Sequence, residues 1–222
     1  MVETDAAPSA RERILAAAAV EFGRVGFSGA TVEAIAKRAG VNKAGLYYHV
    51  GNKEKLYEAV LLHLFGQVAG TLERAAATAG GEGGPFAALA GALAELFARL
   101  PMLPRIMALE MASGGASMPA AAMVEFRRIF GVTRGILERG RKDGSLVAAE
   151  PVLVHMTLVG AMVVYSLSEP LRTRFAAAAQ EMGLRLDLPL SAAADFVGGL
   201  LGRGLASGAM GDQTVEVPHE DA

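Results

Sequence analysis

Cysteine is absent from the chain, and so is tryptophan. Without cysteine there can be no disulfide, no thiolate metal ligand and no cysteine nucleophile. The four histidines, His49, His63, His155 and His219, are scattered, and no two share the i, i+4 spacing of a helical metal pair. No metal or cofactor is therefore expected. Aromatic residues make up only 6% of the chain, and β-branched residues are sparse beside alanine and leucine. That balance favours an all-α protein. An excess of one charge is also lacking: 21 basic residues face 23 acidic ones, for a net charge of −2. No global field draws nucleic acid, so any such site must be a local patch.

Long hydrophobic runs are missing as well. The longest, Val152 to Leu167, is broken by His155 and Thr157 and closed by Glu150 and Glu169-Pro170. It is slightly short for a membrane span and reads as a buried helix. The opening MVETDAAPSA carries two acids and no basic stretch before an apolar core, so no export signal is read there. The expectation is a soluble, cytoplasmic chain with no membrane partner.

What is present is a composition able to bury a core, with 52% hydrophobic residues in 222. The charge is unevenly spread. Arg24, Lys37, Arg38, Lys43, Lys53 and Lys55 face only Glu33 and Glu54 between Arg24 and Lys55, whereas Asp212, Glu216, Glu220 and Asp221 stand in a tail without Lys or Arg. Residues 1–8 and the acidic tail 209–222 are expected to be disordered ends. Gly80 to Gly84, before Pro85, reads as a loop between helices, and no repeat is found.

Ser9-Ala10-Arg11-Glu12 is a capping box that starts a first helix with Ile14, Leu15, Ala18 and Phe22 as its apolar stripe. Gly23 and Gly26 are expected to end it, leaving Phe27 as a loop residue that plugs a small core. Thr31 caps a short second helix with Glu33 near its positive end. Gly40 supplies a left-handed stop. Asn42 caps a third helix to about His49, and Asn52 caps a long fourth one through Leu56, Val60, Leu61, Leu64 and Val68.

Two short helices joined by a glycine turn predict a helix-turn-helix. Small Ala44 and Gly45 let the second helix approach a groove, and Lys43 can reach a phosphate or a guanine edge. Tyr47 and Tyr48 can donate to phosphates or pack on sugars. Lys53, at a helix start, can grip a phosphate together with the free N–H groups there. The bland reading is that each piece is common in helical proteins, and one tyrosine of the pair is expected to anchor the small core. The assembled pattern is far more specific than its parts.

The stretch from Thr31 to Leu56, TVEAIAKRAGVNKAGLYYHVGNKEKL, resembles the DNA-binding signature of TetR family transcriptional regulators, over about residues 9 to 60. Asn42 stands where Ser or Thr is frequent and Gly51 where a polar residue or proline is common. The resemblance implies that Thr31, Lys43, Ala44, Gly45, Tyr47, Tyr48, His49 and Lys53 touch double-stranded operator DNA. It also implies an N-terminal three-helix helix-turn-helix domain, 9–55, joined to a larger helical ligand-binding and dimerisation domain, 56–208.

For that larger part, helices are expected at about 86–99, 102–112, 119–142, 151–168, 171–182 and 191–207, with prolines at or near their starts. The last carries Gly198, Gly199, Gly202 and Gly204, each of which weakens a helix by about 1 kcal/mol relative to alanine but permits a close crossing. Val159, Phe196, Val197, Leu200 and Leu201 are the candidates for a homodimer interface, with intrachain core as the alternative. Met102, Met107, Phe126 and Met162 could line an adaptable apolar pocket for an unknown lipophilic effector, with Arg105, Glu110, His155 and Tyr165 as polar anchors. Core packing is at least as good a reading for each methionine, and a locally satisfied histidine the better one for His155. The function expected is a homodimeric repressor released from a palindromic operator by a small, mainly apolar ligand. An activator and an effector-independent DNA-binding protein are the alternatives. An enzyme is disfavoured, because no triad, carboxylate pair or phosphate-cradling loop can be placed.

Overall fold

The computed structural model describes residues 8–79 and 83–208. The expectations of disorder at residues 1–7 and along the acidic tail lie outside the described residues, as do Gly80, Gly81 and Glu82. Among the described residues ten helices are formed, in the order α1 (Ala10–Gly29), α2 (Val32–Ala39), α3 (Lys43–Val50), α4 (Lys53–Ala77), α5 (Gly84–Arg99), α6 (Met102–Ala112), α7 (Ala122–Asp143), α8 (Pro151–Leu167), α9 (Glu169–Glu181) and α10 (Leu190–Leu205). Among the described residues there is no strand, only an isolated antiparallel bridge between Leu146 and Ala206. From α5 onward, the observed ends lie within three residues of those expected. No single helix among the described residues is long and apolar enough to cross a membrane.

The capping box of α1 is formed. Ser9 Oγ accepts from the Glu12 N–H at 3.2 Å, and Glu12 Oε2 accepts from the Ser9 N–H at 2.8 Å. The end of α1 differs from the expectation. Gly23 continues the helix, because its bare Cα is buried against α6: a Cβ there would lie 3.0 Å from Met102 Cβ. The break falls at Gly26 alone, where φ is +73° and ψ 175°. Beyond that kink the chain resumes helical turns to Gly29, so Phe27 is a helical residue and not a loop plug.

The helices gather into two compact units. The first holds residues up to Gln67 together with Leu100–Glu125. Its buried side chains include Ile14, Ala18, Phe22, Ile35, Ala36, Leu46, Leu56, Leu61, Leu103 and Ile106, and α6 packs on α1. The second holds Val68–Arg99 and the chain from Phe126 onward. There α10 packs extensively along α5, and α8 packs against both. Phe86, Leu89, Leu93, Phe97, Leu158 and Met162 are buried in this unit.

Two of the four glycines of α10, Gly198 and Gly202, are used inside the chain. A Cβ on Gly198 would lie 2.5 Å from Ala87 Cα and 2.9 Å from Ala87 N, and one on Gly202 would lie 3.2 Å from the Gly83 carbonyl. The glycine spacing favours a four-helix interface between two subunits, but at Gly198 the close crossing is the intrachain α5–α10 contact, the alternative reading. On the same helix Phe196 and Leu200 stay exposed, at 67% and 50%.

Because backbone cannot yield to a new methyl as a flexible side chain can, Gly198→Ala is expected to destabilise the second unit by about 1–3 kcal/mol, despite the gain in helix propensity. Urea unfolding followed by far-ultraviolet circular dichroism measures this. A variant as stable as the parent would show that the two helices can separate without cost.

Candidate nucleic-acid interface

The smallest element able to do chemistry on a partner is α2, the turn and α3. Thr31 Oγ1 accepts from the Ala34 N–H at 3.2 Å and starts α2. Gly40 stops it with φ +69° and ψ 34°, a conformation that penalises any side chain with a Cβ. The Val41 N–H then reaches back to the Ala36 carbonyl at 3.1 Å, the six-to-one bond of a Schellman turn. Asn42 Oδ1 accepts from the Gly45 N–H at 2.7 Å and starts α3 as well as a serine would. Gly51 ends α3 with φ +79°, which accounts for glycine at that position. Asn52 then caps α4 by accepting from the Lys55 N–H at 2.8 Å.

Of the side chains of α3, only Leu46 is fully buried. Lys43, Ala44, Tyr47, Tyr48 and His49 are exposed, with Tyr48 at 88% and Tyr47 at 41%, while Gly45 is half-buried. Neither tyrosine anchors the small core, contrary to the expectation for one of the pair. An eight-residue helix offers one inward stripe, and Leu46 with half-buried Val50 occupies it. The aromatic filling comes from α4. Tyr57 meets Phe22 edge-on at 4.6 Å and lies 4.9 Å from the Phe27 ring.

The local positive charge is smaller than its residue count suggests. Arg24 donates to the buried Glu21 carboxylate at 2.7 Å, and Arg38 lies 3.6 Å from it. The Arg24 hydrogen bond holds Glu21 below the usual carboxylate range against the opposing effect of burial. Lys43 is paired with Glu33, whose carboxyl it pulls down while its own ammonium is pushed up. Lys37, Lys53 and Lys55 make no ion pair among the described residues. Lys53 Nζ sits 4.6 Å from the Phe27 ring centroid and 3.5 Å from the Ser28 carbonyl, so the kink at Gly26 builds a platform under this cation.

Residues 14–60 match the family described as bacterial regulatory proteins, tetR family. A curated relative, the HTH-type transcriptional repressor NicS of Pseudomonas putida, is 39% identical over 64 residues, which is 29% of this chain and 30% of that protein. Over this N-terminal segment the chain is similar to TetR family regulators. The match to that relative spans under a third of its length, and it is the fold that extends further. The TetR family transcriptional regulator PfmR of Thermus thermophilus superposes with a TM-score of 0.64 at 21% identity, over 86% of this chain and 97% of that one. The transcriptional regulator FadR of Bacillus subtilis, in complex with stearoyl-CoA, does so with a TM-score of 0.63 at 20% identity, over 87% and 98%. The three named proteins that this chain resembles are regulators of transcription, not enzymes.

The pocket candidates fall in both units. Met102, Arg105, Met107 and Glu110 lie on α6 in the first unit; Phe126, His155, Met162 and Tyr165 belong to the second. Arg105 is exposed, Met102 packs on Gly23, and half-buried Met107 follows on the same helix. Glu110 is buried and takes the Tyr57 hydroxyl, whose pKa burial and this carboxylate push up. Phe126 is 46% exposed, and Met162 is fully buried. His155 is buried with Nδ1 3.0 Å from Thr133 Oγ1 and its ring edge-on to Phe130 at 5.5 Å; burial pushes its pKa down, so it stays neutral. Tyr165 donates to the Leu188 carbonyl at 2.8 Å beneath the Arg172 guanidinium, 3.9 Å from its ring. The polar candidates Glu110, His155 and Tyr165 therefore each have a partner within their own unit. An open cavity of about 350 Å³ lies elsewhere in the second unit, between Ala76, Pro85, Ile136, Arg139, Asp143 and Leu146. None of the eight candidates lines it.

Sequence reasoning assigned Glu33 only to the helix dipole and Phe27 only to packing. Their roles as partners of Lys43 and Lys53 depend on distances across ten and about two dozen residues, which no local spacing encodes.

Glu110 Oε2 has no hydrogen-bond partner among the described residues, so Tyr57 is the sole side-chain donor to a buried carboxyl. Tyr57→Phe is expected to cost about 1–3 kcal/mol, and adding Glu110→Leu should restore part of the loss. Denaturant midpoints of the single and double variants decide this; equal stability of Tyr57→Phe and parent would remove the bond from the account.

Proposed function

We propose that this chain is a transcriptional repressor that binds a palindromic operator as a homodimer and leaves it when a small, mainly apolar ligand binds. The observation that carries the DNA-binding part is α3 itself: a capped helix that buries only Leu46 and presents Lys43, Tyr47, Tyr48 and His49 to solvent. In this reading Lys43 meets a base edge, with Ala44 and Gly45 allowing close approach. Thr31, Tyr47, Tyr48 and His49 meet the backbone around it, and Lys53 grips a phosphate at the start of α4. Repression is favoured over activation by the name of the Pseudomonas relative. The work takes place in the cytoplasm, where the operator is.

Homodimerisation follows from what one helix-turn-helix cannot do: it buries too little surface for tight specific binding, so two are needed on two half-sites. The interface proposed is built from α8 and α10. Phe196 and Leu200 are exposed, Val197 and Leu201 are half-buried, and Val159 is buried beneath its neighbours. Val152, Leu153, Met156 and Val164 add exposed apolar surface on α8. Exposed apolar area of this extent marks an interaction face. Residues 9–55 would then be the reading domain and 56–208 the ligand-binding and dimerisation domain. A lipophilic effector is supported by the Met- and Leu-rich helices and by the stearoyl-CoA complex of the Bacillus subtilis neighbour. Because α4 runs unbroken from Lys53 to Ala77, a ligand that prefers one tilt of it would shift the spacing of paired recognition helices from the roughly 34–36 Å between major grooves.

Two outcomes test the proposal on a duplex selected from a random library with the parent protein. Phe196→Glu is expected to sediment as a monomer and to lose most operator affinity; a variant that stays dimeric would refute the interface. Long-chain fatty acids of graded length are expected to weaken operator binding by about 5–150-fold, the usual range of such coupling. Unchanged affinity across that series, measured by fluorescence anisotropy, would refute release by an apolar ligand.

A further inference from the structure

We propose that Glu33 is a specificity-determining residue of this interface: by holding Lys43 it disfavours phosphate contacts by α3 and reserves that cation for base edges. The inference rests on the DNA-binding reading above. Lys43 is the only fixed cation on α3, since Lys43–Val50 reads KAGLYYHV. Its ammonium donates to Glu33 Oε1 at the start of α2 and lies 5.9 Å from the Tyr47 ring centroid. The two charged side chains are 54% and 62% exposed. A pair so exposed adds little to stability. The caps of both helices are made by other groups, Thr31 Oγ1 and Asn42 Oδ1. The Glu33–Lys43 pair is therefore not needed to hold α2 and α3 together, and its effect falls on whatever approaches α3.

The effect on DNA differs between backbone and base. A phosphate that approached Lys43 would bring a full negative charge beside the Glu33 carboxylate, and Lys43 would have to give up its partner. A guanine edge offers neutral acceptors, O6 and N7, and an ammonium has three N–H donors, so Lys43 can keep Glu33 and still reach the base. Glu33 itself can only accept, and the group it fits in a major groove is the cytosine amino group. Non-operator DNA is held almost entirely through phosphates. A carboxylate at this position therefore weakens non-specific binding more than specific binding, a repulsive element of the kind that discriminating interfaces use.

The test compares full-length parent, Glu33→Gln, Lys43→Ala and the double variant on two duplexes, one selected from a random library with the parent and one a scramble of it, over a salt series. Glu33→Gln is expected to bind the scramble about five- to tenfold tighter, with the log–log salt slope steeper by about 0.9, the value for one added phosphate contact. Its affinity for the selected duplex should change less than about twofold, so discrimination falls. In the Lys43→Ala background the same substitution should change neither duplex by more than about twofold. Glu33→Ala should act in the same direction as Glu33→Gln, and unchanged helical circular dichroism confirms that the variants fold. Equal tightening on both duplexes, or the same effect with Lys43 removed, would reduce Glu33 to a bulk charge and overturn the proposal. A parent that enriches no duplex would instead overturn the DNA-binding reading on which it rests.

Discussion

The left-handed turn at Gly40 is the constraint from which the first unit follows. With φ at +69° the chain reverses within one residue, and the Val41 N–H is spent on the Ala36 carbonyl. Two short helices are thereby forced to share a single small core. Ala36 must be small for them to meet, Ile35 and Leu46 must fill what remains, and every other side chain of α3 turns outward or lies half-buried. Helices of eight residues are too short to persist alone, so α2 and α3 depend on this shared burial and on their caps. The exposure of Tyr47, Tyr48 and His49 is a consequence of the same shortage of inward positions.

Much of this was legible in the sequence because it is encoded locally. Ser9 with Glu12, Thr31, Gly40, Asn42 and Asn52 each announce a helix end within three or four residues, and the structure places all of them in those roles. What was not legible depends on contacts distant in sequence. Gly23 and Gly26 look alike in the chain, yet one is kept bare by Met102 on α6 and the other by its own backbone angle. Tyr47, Tyr48 and Tyr57 are equally able to fill a core, and only the register of α4 against Phe22 selects Tyr57. The glycines of α10 announced a close crossing but not its partner, which is α5.

Electrostatics reshaped the reading of the interface more than packing did. Counting basic residues overstated the patch, because Arg24 and Arg38 serve the buried carboxylate of Glu21, a group that could not remain charged there alone. Lys53, by contrast, gains from its surroundings. Its ammonium rests on the Phe27 ring, and that ring touches Tyr57, whose hydroxyl is held by Glu110 on α6. The first unit thus connects a surface cation to a buried acid through aromatic contacts, all within one set of packed helices.

On α10 the inner and outer faces answer to different demands. Gly198 meets Ala87 so closely that a side chain there must push backbone aside, while Phe196, two residues earlier, is 67% exposed. A change at the inward position costs packing, and a change at the outward one does not. Substitutions at Phe196 and Leu200 can therefore accumulate among related genes while the α5–α10 packing is left untouched.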